Sequence, residues 1–225
     1  MRRRSYVSPS TDPISPKSRD FEKKIVKYAQ DLLEAGADFL HCDVMDGEFV
    51  KNTTYDYEIV EKINQNCLIP LDVHLMIENP VAQLDNYIKA GANFITVHYE
   101  SFDTAEELIS LLKIVRKNKL LSGISLKPKT PVSKIEKFLE HCDIVMVMSV
   151  SPGMSGKKFL VSSYDKIKKL DEIRKGKKLN FMIQIDGGMN PKLAEEVRKL
   201  GVDIVVSGNY VYTSKNKKEA IKSLR

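Results

Sequence analysis

The sequence predicts an α/β fold in which eight strand–helix units close into a single (β/α)8 barrel. Three stretches carry this prediction: LLEAGADFLHCDV, YIKAGANFITVH and VRKLGVDIVVSG each run from an amphipathic segment through a glycine into an apolar burst. Gly36, Gly91 and Gly201 suit the left-handed backbone position that ends a helix. The apolar residues that follow are typical of parallel strands buried on both faces. The chain therefore repeats the joint at which a helix leads into a parallel strand.

The same alternation accounts for the other elements in chain order. We expect strands at Tyr6–Val7, Phe39–Val44, Leu71–Met76, Phe94–His98, Gly123–Leu126, Ile144–Met148, Met182–Asp186 and Ile204–Ser207. Helices are expected near Phe21–Ala35, Tyr57–Asn64, Val81–Ala90, Ala105–Lys117, Val132–Glu140, Tyr164–Arg174, Leu193–Leu200 and Lys218–Leu224. Pro80, Pro131 and Pro191 stand where the first turn of a helix accepts proline. Eight such units form a TIM barrel, and the alternative, an open doubly wound sheet, lacks support because no early G-x-G-x-x-G is present.

Length and composition suit one soluble domain spanning residues 1–225. The chain has 225 residues, 42% of them hydrophobic, and a formal net charge of +6. Its densest lysine runs, at 166–169 and 215–218, lie in predicted outer helices, which favours a solvated basic face over nucleic-acid binding. A modest positive field also attracts phosphorylated metabolites.

The cysteines and the apolar runs indicate a cytoplasmic protein. Cys42, Cys67 and Cys142 form no C-x-x-C pair, and an odd number leaves one unpaired, which favours a reducing compartment. The basic start MRRRSYVSPS is not followed by the apolar region of a secretory signal. No apolar run approaches the roughly 18 residues that a membrane helix requires, so we expect no membrane partner.

Polar residues interrupt the predicted strands at positions that share one face. Alternation places His41, Asp43 and Met45 together in HCDVMDG, and Asp72, His74 and Met76 together in LDVHLM. The sixth strand adds Met146 and Met148, and the seventh adds Gln184 and Asp186. Burial of such polar groups inside a strand costs free energy, so their presence there calls for an explanation.

Four of these residues form a candidate metal site. If their faces point into the barrel, His41, Asp43, His74 and Asp186 converge at its C-terminal end, and two imidazoles with two carboxylates suit zinc, manganese or iron(II). The alternative is that each satisfies a local hydrogen bond or faces a helix. His98, which ends the fourth strand, could also face the site.

Glycine-rich loops follow the last three strands and suggest a phosphate site. They contain Gly153, Met154, Ser155 and Gly156 after the sixth strand, Gly187 and Gly188 after the seventh, and Gly208 and Asn209 after the eighth. Barrels commonly bind phosphate through the backbone N–H groups of these loops, and glycine lets the backbone approach closely.

Several motifs resemble those of the ribulose-phosphate 3-epimerase family. They are HCDVMDGEFV (41–50), LDVHLMIENP (71–80), ITVH (95–98), MSVSPG (148–153) and IDGGMNP (185–191), and the resemblance runs from about Phe21 to Val211. The family is a TIM barrel that interconverts ribulose 5-phosphate and xylulose 5-phosphate in the pentose phosphate pathway. The resemblance implies one divalent metal ion (Zn, Fe(II), Mn or Co), a phosphorylated ketose as substrate and a homo-oligomer.

The resemblance also assigns roles to residues. It implies that His41, Asp43, His74 and Asp186 hold the metal and that Asp43 and Asp186 are the catalytic acid and base. Ser10 and His74 would contact substrate, and the three glycine loops would contact its phosphate. Removal of the C3 proton leaves an enediolate, and inversion requires two carboxylates on opposite sides of its plane. Met45, Met76 and Met148 would line the site and exclude water, although packing explains them equally well.

Departures from the family pattern concern the substrate's phosphate end. Lys51 replaces a proline, the loop after the sixth strand reads GMSGK instead of GFGGQ, and Gly208-Asn209 replaces Gly-Ser. Residues 1–20 form a divergent N-terminal strand and loop, which affects the alignment of Ser10.

These departures leave two alternative functions open: an epimerase of another ketose phosphate, such as allulose 6-phosphate, or a non-catalytic sugar-phosphate-binding barrel. Intact Asp43 and Asp186 argue against the second, because a binder gains little from two buried carboxylates.

Overall fold

Eight parallel strands form the centre of the molecule in a computed structural model that describes residues 5–154 and 156–225. The strands are β1 (Tyr6–Pro9), β2 (Leu40–Met45), β3 (Leu71–Met76), β4 (Phe94–His98), β5 (Leu121–Leu126), β6 (Ile144–Met148), β7 (Met182–Asp186) and β8 (Ile204–Ser207). Each strand pairs with its neighbour in the order β1-β8-β7-β6-β5-β4-β3-β2. Between β1 and β2 the bridge from Ser10 to His41 brings the sheet's two edges together. The predicted (β/α)8 TIM barrel is confirmed.

Helices cover the outside of this sheet. They are α1 (Phe21–Glu34), α2 (Tyr57–Asn66), α3 (Pro80–Lys89), α4 (Ala105–Lys117), α5 (Ser163–Gly176), α6 (Pro191–Lys199), α7 (Asn209–Thr213) and α8 (Lys217–Ser223). The sequence did not predict α7, which is short and follows β8 directly. Between α1–α8 and the outward faces of the strands lies the main apolar core, which includes Cys42, Val73 and Ile185. Among the described residues, no helix has the length and apolar character needed to span a membrane.

The helical segment predicted near Val132–Glu140 is present, but it forms two 3₁₀ helices and not one α-helix. These are Val132–Lys134 and Glu136–His141. The segment buries Val132, Ile135, Phe138 and Leu139 against the core. Its backbone winds as two short 3₁₀ turns, a form that is frequent in connecting segments.

Strand alternation sorts the barrel interior into layers. Phe94, Ile144 and Ile204 pack with Phe39 and Tyr6 near the N-terminal ends of the strands. Above this apolar layer the inward positions become polar, because β2 and β3 pair in a register that sets His41 opposite Asp72 and Asp43 opposite His74. The polar residues therefore stand towards the C-terminal ends of the strands, where barrel enzymes carry out their chemistry.

Candidate active site

Four polar side chains meet inside the barrel at the C-terminal ends of β2, β3 and β7. They are His41, Asp43, His74 and Asp186, and one ligand atom from each lies within 4.8 Å of the others. His41 and His74 are fully buried, and Asp43 is nearly so. The inward faces of three strands thus bring together the residues that the sequence marked as candidate ligands.

His41 is oriented by a carboxylate beneath it. Its Nδ1 lies 2.7 Å from Oδ2 of Asp72, which also accepts hydrogen bonds from Ser8 and Gln184. An ionised carboxylate only accepts, so Nδ1 carries a proton, and a metal at Nε2 would take the place of a second proton. That Nε2 has no hydrogen-bond partner among the described residues and lies 3.3 Å from Oδ1 of Asp43. Burial opposes a charge on His41, but Asp72 and Asp43 outweigh it and raise its pKa well above the usual value.

Asp43 lies between the two imidazoles. Its Oδ1 is 3.0 Å from Nδ1 of His74, and its Oδ2 accepts a 2.6 Å hydrogen bond from the hydroxyl of Ser10. Burial raises the pKa of Asp43, yet His41 and His74 outweigh that effect and hold the pKa below its usual range. Burial also lowers the pKa of His74. Asp43 is therefore an ionised group with contacts on both carboxylate oxygens.

Asp186 ends β7 and behaves differently from Asp43. Burial and the charge of Asp43 raise its pKa to about 7. Ser149 fixes the backbone at this point, because its amide and hydroxyl both donate 2.7 Å hydrogen bonds to the Asp186 carbonyl. Two carboxylates with pKa values moved in opposite directions are the arrangement expected of an acid–base pair.

The donor set fits a divalent metal ion. The unpartnered Nε2 of His41 points to the same space as Nδ1 of His74 and a carboxylate oxygen each from Asp43 and Asp186. Two imidazole nitrogens and two carboxylate oxygens suit zinc, iron(II), manganese and cobalt alike, so the donors do not select one metal.

A cavity opens above this cluster at the mouth of the barrel. It is lined by most of the predicted substrate residues, namely Ser10, Asp43, Met45, Met76, Met148, Gly153, Met154, Gly156, Asp186, Gly187, Gly188, Gly208 and Asn209. His41 and His74 are fully buried and do not line the cavity. Ser155 lies outside the described residues. Asp12 and Tyr210, which the sequence did not suggest, also line the cavity.

The glycine pair after β7 leaves no room for side chains. Gly187 has φ +122°, and a Cβ there would lie 2.7 Å from Val150. Gly188 has φ +65°, and its Cβ would lie 2.7 Å from the amide nitrogen of Phe159. Asn209 begins α7, so the first amides of that helix lack intrahelical partners and are suited to bind an anion.

The loop after β2 closes over one side of the mouth. The Asn52 side chain donates a 2.6 Å hydrogen bond to the carbonyl of Gly153. The ring of Phe49 lies 4.8 Å from that of His98, and the ammonium of Lys127 lies 3.7 Å from the Phe49 ring centroid. Lys51 is exposed to solvent, so this departure from the family pattern projects away from the cavity wall.

The main feature that the sequence did not reveal is the set of residues that contact the candidate metal ligands from behind. Alternation did place Asp72 and Gln184 on the inward face, but it did not show that Asp72 binds His41. The end of β4 makes His98 a candidate to face the site, and its Nε2 contacts Nε2 of His74 at 2.9 Å. Glu100, which contacts His98, lies beyond the strand in a 3₁₀ turn, where period-two alternation no longer applies.

The fold and the candidate site together place this chain among the (β/α)8-barrel enzymes. A model of the ribulose-phosphate 3 epimerase family matches residues 14–212. The ribulose-phosphate 3-epimerase of Aquifex aeolicus (strain VF5) is 38% identical over 201 residues, covering 89% of both chains. That of Bacillus subtilis (strain 168) is 39% identical over 198 residues, covering 87% of this chain and 89% of the relative. The chain therefore belongs to the ribulose-phosphate 3-epimerase family, and it is an isomerase.

Solved structures with low sequence identity share the fold. The 3-keto-L-gulonate-6-phosphate decarboxylase of Vibrio cholerae superposes with a TM-score of 0.72 at 12% identity, covering 99% of this chain and 96% of the other. The N-acetylmannosamine-6-phosphate 2-epimerase of Clostridium perfringens gives 0.64 at 11% identity, covering 90% and 86%. At such identities the similarity describes the barrel alone.

Proposed function

We propose that this enzyme interconverts D-ribulose 5-phosphate and D-xylulose 5-phosphate by exchanging the proton at C3 between two carboxylates. The observation that carries this proposal is the position of Asp43 and Asp186. They enter one cavity from different walls of the barrel, on β2 and β7, with the imidazoles of His41 and His74 beside them. Membership of the epimerase family supplies the reaction class.

Inversion at a carbon requires that a proton leaves one face and returns to the other. In one direction Asp43 accepts the C3 proton and Asp186 delivers a proton from the opposite side; in the other direction the roles exchange. When bound to His41, Asp43, His74 and Asp186, a divalent metal would stabilise negative charge on the sugar oxygens as the enediolate forms. Ser10 donates a hydrogen bond to Asp43 and lines the cavity, so it is placed to orient both the carboxylate and the sugar.

The rest of the cavity suits the remainder of the substrate. Met45, Met76 and Met148 form an apolar lining that would limit access of water to the intermediate. We assign the phosphate to the backbone amides of Gly187, Gly188 and the start of α7, with the loop from Gly153 to Gly156 beside them. Following the family, we propose that the reaction belongs to the pentose phosphate pathway and takes place in the cytoplasm.

Proton exchange with solvent tests the reaction directly. Metal-loaded protein would be incubated with ribulose 5-phosphate in heavy water and followed by NMR. We expect deuterium at C3 together with the epimeric product, because a carboxyl group exchanges its proton with water between turnovers. A folded, metal-loaded protein that neither exchanges C3 nor forms xylulose 5-phosphate would contradict the proposal.

A substitution of Asp186 tests the two-carboxylate mechanism. Asp186→Asn keeps the shape of the side chain but removes its acid–base function, so we expect turnover to fall at least ~10²-fold. Asp165→Asn, a side chain that is 88% exposed on α5, is the matched control and should turn over normally. Near wild-type turnover in Asp186→Asn would refute the role of the second carboxylate.

The second candidate substrate is allulose 6-phosphate. Met154 is 53% exposed at the mouth and lines the cavity in the loop that departs from the family pattern. A ketohexose phosphate is one carbon longer, so its phosphate would lie near this loop. Comparison of kcat/KM for the two sugars under the conditions above decides between them, since the preferred substrate has the higher value.

Assembly is a further part of the proposal. Following the family, we propose a homo-oligomer. Light scattering coupled to size-exclusion chromatography would show a mass at least twice the 25.6 kDa of one chain. A monomer at micromolar concentration would contradict it.

A further inference from the structure

A buried chain of hydrogen bonds leads from His74 away from the cavity. His74 Nε2 lies 2.9 Å from Nε2 of His98, and His98 Nδ1 lies 3.2 Å from Oε2 of Glu100. Both imidazole rings are fully buried. Neither His98 nor Glu100 lines the cavity, so the acid–base mechanism leaves this pair without a task.

The positions of the protons in this chain follow from the groups at its far end. Glu100 accepts at Oε1 from the amide of Lys127, at 2.9 Å, and from the hydroxyl of Thr130. A carboxylate that already accepts these two bonds offers His98 only another acceptor, so His98 Nδ1 carries a proton. With its proton on Nδ1, the imidazole of His98 presents a bare Nε2, which lies 2.9 Å from Nε2 of His74 and can accept a hydrogen bond from a proton there.

These proton positions affect the candidate metal site. Nδ1 of His74 lies 3.0 Å from Oδ1 of the ionised Asp43, and in the absence of a metal it is placed to donate to that oxygen. A metal bound at Nδ1 would take the place of this proton, so the proton of His74 would then lie on Nε2, where it donates to His98. We infer that His98 and Glu100 are positioning residues that hold His74 in its metal-binding tautomer and orientation. This inference rests on the proposed metal site and epimerase function.

Lys166 holds in place the loop that donates hydrogen bonds to Glu100. The ammonium of Lys166, on α5, donates to the carbonyl of Lys127 at 2.8 Å and to that of Thr130 at 2.6 Å. These bonds hold the loop after β5 against Glu100, while Phe49 covers the outer side of the His98 ring at 4.8 Å. Partners behind a metal-binding histidine fix its tautomer and raise its basicity, and their loss typically weakens metal binding about 10–100-fold.

Three variants separate positioning from packing. Glu100→Gln keeps the side-chain volume but removes the charge that requires a donor from His98. His98→Phe keeps a ring and removes both nitrogens, whereas His98→Gln restores an oxygen that can accept from His74. Glu106→Gln, an exposed residue in the first turn of α4, is the control for loss of one carboxylate.

Zinc affinity is the first measurement, made by competition with a chromophoric chelator and without any substrate. We expect about 10–100-fold weaker binding in His98→Phe and Glu100→Gln, recovery of most of the affinity in His98→Gln, and no change in Glu106→Gln. Affinities within twofold of wild type in folded His98→Phe and Glu100→Gln would overturn the inference.

The tautomer is the second measurement and needs no variant. Long-range ¹H–¹⁵N correlation spectra of zinc-loaded protein with ¹⁵N-labelled histidine report which nitrogen of His98 carries the proton. A proton on Nδ1, facing Glu100, supports the inference, and a proton on Nε2, facing His74, overturns it. Failure of the proposed function looks different: wild-type protein would bind zinc through this site and show the Nδ1–H tautomer of His98, yet leave C3 of ribulose 5-phosphate unexchanged.

Discussion

Replacement of Arg174 by alanine should destabilise the barrel strongly without changing its chemistry. Arg174 lies on α5 with only 5% of its surface exposed. Its guanidinium donates to Asp171 at 2.9 Å, to the Phe181 carbonyl at 3.1 Å, and to Asp203 and the Gly201 carbonyl. One side chain therefore ties α5 to the segments that enter β7 and β8.

The magnitude follows from what the change leaves behind. Asp203 is 7% exposed and would keep the amide of Ile183 as a donor, at 2.8 Å, but would lose its cationic partner. Removal of one partner from a buried ion pair costs about 3–5 kcal/mol. For a chain of this length, each kcal/mol lowers the unfolding midpoint by roughly 2–4 °C, so a fall of about 6–20 °C is expected.

Lys175→Ala is the matched control for this prediction. Lys175 is the next residue along the helix and also pairs with Asp171, but its side chain is 66% exposed. An exposed ion pair contributes at most about 1 kcal/mol. Thermal and urea unfolding followed by circular dichroism would compare the two variants. The reasoning fails if Arg174→Ala is destabilised no more than Lys175→Ala, or if its turnover falls at temperatures where it is fully folded.

Three further perturbations test the site itself. Removal of the metal with a chelator should abolish turnover, and undiminished activity in verified metal-free protein would contradict the metal's role. Gly187→Ala forces an L side chain into φ +122° with Cβ 2.7 Å from Val150. We therefore expect a raised KM and a free energy of unfolding lowered by about 1–3 kcal/mol. Gly176→Ala, which meets nothing within 4 Å, is its control and should match wild type in both assays. Asp72→Asn should weaken metal binding about 10–100-fold by releasing the tautomer of His41, and unchanged affinity in a chelator competition would be evidence against that role.

Much of the barrel could be predicted from local sequence because each strand–helix joint carries its own signal. The apolar runs after Gly36, Gly91 and Gly201 become β2, β4 and β8, whose bounds differ from the predicted ones by one residue or less. The helical segment after β5 was predicted without its 3₁₀ form, and the short helix α7 was not predicted. Helical propensity is a weak preference that tertiary context overrides, and single short turns carry little of it.

The candidate site was predictable to the extent that alternation governs it. Because side chains of a strand point alternately to its two faces, His41, Asp43, His74 and Asp186 had to share the interior once the sheet closed. The roles of these residues come from the family resemblance and stay predictions. The fold alone did not select between zinc, iron(II), manganese and cobalt, because the same nitrogen and oxygen donors serve each of them.

The sequence by itself determined the order of elements, the inward faces of the strands and the residue types available for chemistry, since all of these depend on short-range periodicity. Only the tertiary structure decided which atoms meet. The partnership of His41 with Asp72 spans 31 residues, and that of Asp72 with Gln184 spans 112. Strand register and barrel closure bring such groups together, and no local pattern encodes these distances. For this reason the tautomers of His41 and His74, on which metal binding depends, could be inferred only from the folded chain.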